Sequence, residues 1–173
     1  MAARVDFAKL TLMDTLDLAT LIELEACQRY ALFVEQIGSS TDAGAFFQAM
    51  VVNERKHADE IGARRLKLYG ETPARVKLDD IFDVEAPDVG STRRNMSAFS
   101  ACQVALHAER KAHDFYDRAL ARVTDPEVRA LFEELRDEEA EHVRMVEKIM
   151  AKLPPEARED LEDEDDSSMR MGF

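Results

Sequence analysis

Tryptophan is absent from this 173-residue chain, and glycine and proline are sparse, at 6 and 5 residues. Alternating runs of Val, Ile and Thr are hard to find, so the composition suits a helix-rich globular protein rather than a sheet. There are only two cysteines, Cys27 and Cys102, and they form no Cys-x-x-Cys pair. Zinc knuckles and rubredoxin-type iron sites are thereby excluded within the chain. A basic stripe is also missing; with a net charge of −13, nucleic acid is not an expected partner. The N-terminus has no basic region leading into an apolar run, and no stretch of ~18 residues is free of charge. The expectation is a cytoplasmic protein with no membrane partner and with reduced thiols.

What is present is a hydrophobic fraction of 46% beside a charged fraction of 34%. That composition and length suffice to bury a core without disulfides or a structural metal. Charge is unevenly distributed: Glu156 to Asp166 carries eight acids against Arg158 alone. The expected organisation is one helical domain over residues 1–153 and an acidic, disordered tail over residues 154–173.

Apolar residues recur at three- and four-residue spacing through four segments. The first is expected from Leu12 to Ile37, opened by Thr11 with Asp14 as a capping box and closed at "IGSS". The second is expected from Ala43 to Tyr69, after Thr41 and Asp42, and the third from Met96 to Val123, capped by Asn95. The fourth starts at "TDPE", where Thr124 or Asp125 caps, Pro126 fits the first turn and Glu127 completes a box; it ends before Pro154. Short connections make each pair an antiparallel hairpin, whereas "ETPARVKLDDIFDVEAPDVGSTRR" is long enough to run the length of a bundle. This is the all-α, ferritin-like four-helix bundle, two hairpins joined by one long crossover. Val76, Leu78, Ile81, Phe82 and Val84 are expected to pack the crossover onto the outside.

The chemistry lies in the polar residues on the core stripes. In the fourth helix, stepping from Leu135 to Val146 lands on Glu139 and His142, within "DEEAEHVR". Asp137, Glu138 and Glu141 fall on other faces and are expected to be solvated. In the second helix, the stripe of Phe47, Met50, Ile61 and Leu68 includes Glu54 and His57. Both pairs are Glu-x-x-His, with side chains on one side of a helix. The first and third helices each carry Glu-x6-Tyr in phase, Glu23 with Tyr30 and Glu109 with Tyr116. Glu23 precedes Glu54 by 31 positions and Glu109 precedes Glu139 by 30, so the chain reads as a duplicated hairpin.

Four buried carboxylates without partners would be strongly destabilising, each costing several kcal/mol. Two divalent cations would neutralise them, and oxygen with imidazole ligands suits iron or manganese. The alternative is a set of salt-bridged core polar groups.

The segments "ELEACQRY", "NERKH", "ALHAERKAHDFY" and "DEEAEH" resemble the ligand segments of the rubrerythrin-type ferritin-like domain, over roughly residues 12 to 150. The resemblance implies that Glu23, Glu54, His57, Glu109, Glu139 and His142 hold two iron ions (Fe2+/Fe3+), with manganese or a mixed pair as variants. It implies that Tyr30 hydrogen-bonds near the site, and that the diferrous centre reduces hydrogen peroxide to water. Tyr116 takes the matching place in the second copy. A homodimer or larger homo-oligomer is also implied. Rubrerythrins place a further Glu three residues after the third-helix ligand, where this chain has Ala112, and they carry a rubredoxin domain that is missing here. Electrons are therefore expected from an external, rubredoxin-like donor. His113 either substitutes in part for the missing Glu or packs nearby, and Cys27 is expected to be a small buried thiol. A ferroxidase or iron-storage protein that oxidises Fe(II) with O2 is the alternative function; a ferritin-like scaffold whose tail recruits a partner is the non-enzymatic one.

Overall fold

The computed structural model describes residues 6–77, 86–88 and 90–160. Among them are four long helices, α1 (Leu12–Ile37), α2 (Asp42–Tyr69), α3 (Ala98–Leu120) and α4 (Pro126–Lys152), with no strand. α1 packs along α2, α3 packs along α4, and the two hairpins meet mainly through α2 and α3. This is the expected four-helix bundle with one long crossover between its hairpins.

Local chemistry sets the helix ends. Asp14 N donates to Thr11 Oγ1 at 3.3 Å and Thr11 N donates to Asp14 Oδ2 at 3.0 Å, closing the anticipated capping box. α1 stops at Gly38, whose φ of +94° favours glycine. The return into α2 is so tight that a Cβ on Gly44 would collide with the Gly38 carbonyl oxygen. α3 begins two residues later than the pattern suggests, and its cap is Ser97 rather than Asn95. At α4, Asp125 caps by accepting from the backbone N–H of both Glu127 and Val128, so Glu127 completes no box with Thr124.

Two apolar clusters fill the bundle. One gathers Leu16, Leu18, Ile22, Tyr116, Leu131, Phe132 and Leu135, and the 3₁₀ turn Phe7–Lys9 covers it by setting Phe7 edge-on to Phe115 and Phe132. The other is aromatic around Tyr30, Phe33 and Phe47, with Met50, Cys102 and Val146. Leu68, placed by its phase on the buried stripe of α2, is 51% exposed: beyond Ile61 the inward side of α2 runs through Arg65, which pairs with Asp17, and Tyr69, which packs on the first cluster.

The crossover is tied down at both described ends. Arg75 grips Asp14 through Nη2 at 2.6 Å and Nε at 3.0 Å, and Val76 packs on the first cluster. Further on, Arg29 donates to the Pro87 carbonyl and Lys111 to the Ala86 carbonyl. Leu78, Ile81, Phe82 and Val84 lie outside the described residues. Of the tail expected from residue 154, the structure describes residues 154–160. A 3₁₀ turn, Pro155–Arg158, sets the Arg158 guanidinium over Phe99, and Asp160 accepts hydrogen bonds from Ser97 N and Ser100 Oγ at the start of α3. Residues 161–173 lie outside the described residues.

Candidate metal centre

Between the two apolar clusters, each helix contributes its polar interruption at the same height. On α1 it is Glu23, between Ile22 and Ala26; on α2 Glu54, between Met50 and Ile61; on α3 Glu109, between Ala105 and Tyr116. α4 contributes Glu139 and His142, between Leu135 and Val146. The four glutamates are at most 1% exposed and His142 is 6% exposed. Glu54, Glu109 and His142 come closest to a ligand cage, one atom from each lying within 4.8 Å of the others. His57 is half-buried at the margin, its ring centroid 4.7 Å from that of His142.

His142 is the hub. Its Nδ1 sits 3.0 Å from Glu109 Oε2 and 3.5 Å from Glu139 Oε2. Burial alone would favour the neutral ring, but Glu109 and Glu139 outweigh it and push His142 up to about 11. That shift favours the protonated ring, in which both nitrogens donate. Asn53 Nδ2 lies 3.4 Å from Nε2, and a protonated Nε2 requires the Asn53 amide to present Oδ1 instead, since amide orientation is set by the surrounding donors.

The carboxylates are short of positive charge. Neither oxygen of Glu23 accepts a hydrogen bond from an N–H or hydroxyl among the described residues. Burial, followed by the Glu54 and Glu139 charges, holds the Glu23 carboxyl well above its usual range, with His142 opposing. Burial likewise pushes Glu139 up to about 8, against the lowering contact of His142. Buried carboxylate oxygens beside an imidazole, with no thiolate among them, make a cluster with the donors to hold a metal ion. Without a metal, the raised carboxyls and the raised His142 both favour the protonated forms of the cluster.

The two tyrosines are fully buried. Tyr30 Oη donates to Glu109 Oε1 at 3.2 Å, linking the first hairpin to the second. Tyr116 is packed by Phe115 and Phe132. His113 is not drawn into the cluster; its Nδ1 is 3.6 Å from Asp114 on a partly exposed face. Ala112 is fully buried and brings no carboxylate. Both thiols are buried: Cys27 donates to the Val51 carbonyl, and burial pushes the Cys102 thiol up to about 11.

Two residues that the helical phase left out belong to the neighbourhood. Asn53, inside "NERKH", faces across to α4 instead of outward. Glu138, expected in the solvated run, is half-buried, and burial first, then the Glu134 charge, raises its carboxyl. It lines a cleft of about 110 Å³ that also holds His57.

No described helix is long and apolar enough to cross a membrane. Comparison with known proteins gives the family and the fold. The rubrerythrin family model matches residues 14–150 and also residues 101–167. A crystal structure of an uncharacterised conserved protein from Magnetospirillum magnetotacticum MS-1 is 29% identical, with a TM-score of 0.64, covering 88% of this chain and 100% of that one. No curated protein matches. The chain belongs to the rubrerythrin family, and its bundle is ferritin-like. Members of that family typically bind a di-iron centre, and the Glu/His cluster has the donors to hold metal.

Proposed function

We propose that this member of the rubrerythrin family is a di-iron oxidoreductase that reduces hydrogen peroxide with electrons from an external donor. The observation that carries the reading is Glu23: a fully buried carboxyl with no N–H donor among the described residues, set against the Glu54 and Glu139 carboxyls in a chain of this family. Glu23, Glu54, His57, Glu109, Glu139 and His142 would hold two iron ions, with manganese or a mixed pair also compatible with the donors. When bound and reduced, the pair supplies two electrons, which with two protons turn one hydrogen peroxide into two waters. Tyr30 fixes the Glu109 carboxylate through its hydroxyl, and the flanking clusters exclude bulk water. By the duplication, Tyr116 serves the other half of the site.

The test is stopped-flow oxidation of the anaerobically reduced, iron-loaded protein. Oxidation much faster by hydrogen peroxide than by O2 supports the reading; equal or faster reaction with O2 overturns it. Ala112 favours a second reading, because the buried alanine removes the carboxylate on which rubrerythrin ligand exchange depends. In that reading the protein is a ferroxidase with Fe(II) as substrate, recognised by multiple-turnover oxidation of added Fe(II) with mineral formation. Anomalous scattering at the iron and manganese edges decides the metal. Absence of two ions beside Glu54 and Glu139 in metal-loaded crystals would sink both readings.

A further inference from the structure

A site buried this deeply needs a way in. Five of its six residues are at most 6% exposed, and only His57 among them lines a cleft described in the structure. That cleft lies between α2 and α4, with apolar walls from Ile61, Leu131 and Leu135. Its polar lining is Glu60, Arg64, Glu134 and Glu138. Arg64 is occupied by Glu134 at 2.8 Å across the rim. Glu60 makes only an exposed 3.7 Å contact with Lys56, a kind of pair that contributes little in water and leaves the carboxylate available. Glu138 is half-buried farther in, with Glu134, His142 and Glu60 as its main charged neighbours. Beyond Glu138 and His57 come His142 and the buried carboxylates. A larger cleft of about 280 Å³, lined by Asp88, Arg93 and His107, contains none of the site residues.

We propose that the α2–α4 cleft is the route by which divalent cations reach the buried cluster, with Glu60 and Glu138 as successive staging ligands and His57 as the inner gate. The inference rests on the metal-centre reading and deepens it. Acidic groups in a cleft with low-dielectric walls focus the field inward and raise the local concentration of cations. Neutral peroxide gains nothing from that field, so the charge arrangement points to the metal and not to the oxidant. His57 has one face in the cleft and its ring against His142, and it is the first imidazole an arriving cation meets.

The experiment is anaerobic loading of the full-length metal-free protein with Co(II) alone, followed by stopped-flow visible absorbance, with equilibrium titration for stoichiometry. The E60Q/E138Q double variant is expected to load about tenfold more slowly at low ionic strength. Its final stoichiometry should be unchanged, and the difference should shrink in about 0.5 M salt, where the screening length is about 4 Å. Glu141→Gln, removing an exposed acid paired with Arg144 on the same helix, should load at the wild-type rate. Wild-type loading rates in the double variant, or equal slowing in Glu141→Gln, overturn the route while leaving the metal centre standing. Failure of the unmutated protein to take up any Co(II) overturns the metal centre, and the route with it.

Discussion

Metal-free protein should lose stability as pH rises from about 5 to 8, opposite to the behaviour expected of surface acids. The cause is the buried cluster. Burial holds the Glu139 carboxyl at about 8 in the folded chain against an ordinary 4.5, and Glu23 shifts the same way. A carboxyl with a raised folded pKa binds its proton more tightly when folded. Its contribution is fully present below about pH 4.5 and is lost as pH climbs towards 8. A gap of roughly three to four units, at about 1.4 kcal/mol each, sets a ceiling of about 5 kcal/mol for Glu139. Because Glu139, Glu23 and His142 share protons, their contributions do not add, and the cluster as a whole stays of that order. His142, raised to about 11, acts in the same direction above its ordinary 6.5. His57, lowered by burial and then by the His142 charge, acts oppositely near and below pH 6.5, but it is half exposed and weaker. Urea unfolding in a chelator measures this. With slopes of about 1–3 kcal/mol per molar, the midpoint should fall by roughly 2 M between pH 5 and 8. Glu139→Gln should flatten the fall. Saturating divalent metal should reverse it, since ligation needs the deprotonated groups. A midpoint that stays level or rises with pH in chelator would refute the reasoning, as would a Glu139→Gln slope equal to wild type.

Three further outcomes follow from the packing. Gly62→Ala, with open space at its Cβ, should stabilise by about 0.5–1 kcal/mol in thermal unfolding. Gly44→Ala, whose Cβ meets the Gly38 carbonyl, should destabilise by about 1–3 kcal/mol; equal effects at the two sites would contradict the tight turn. Tyr30→Phe keeps the stacked ring but leaves Glu109 Oε1 without its hydroxyl donor, so stability should drop by about 1–3 kcal/mol. An unchanged melting temperature would mean that this hydrogen bond is not formed. Asp160→Ala should cost about 0.5–2 kcal/mol and speed hydrogen exchange at the start of α3, because it removes the acceptor for Ser97 N. The Asp160 carboxyl is lowered mainly by that N–H, so its contribution is present above about pH 3.8 and fades as pH falls further.

Helix existence, the hairpin pairing and the inward polar residues were readable because they follow from short-range periodicity. The Thr11–Asp14 box needs only four residues of sequence, and it forms. The start of α3 was not readable in that way: Asn95 and Ser97 are both cap-forming residue types, and Ser97, which does cap, also donates its N–H to Asp160, more than sixty residues away. Glu138 misleads for a different reason. A single stripe assumes one buried face, but each helix in a bundle has two neighbours, so a residue one step from Glu139 can turn toward α2. His113 errs the other way, in phase with the stripe yet set beside Asp114.

The duplication explains why the polar belt sits at the seam between hairpins. Glu54 comes from the first hairpin, whereas Glu109 and His142 come from the second, so neither hairpin assembles the closest ligand group alone. A cation held there binds the docked bundle and not its separated halves, which stabilises docking by about 4 kcal/mol at a thousandfold excess over its dissociation constant. Without the cation, the hairpins still dock through two apolar clusters and the Tyr30–Glu109 hydrogen bond, but they must bury the carboxylates with protons and His142 to offset their charge. The cleft beside His57, between α2 and α4, lies along the same seam between the hairpins. On the proposed route, a cation would therefore enter along the seam that its binding stabilises.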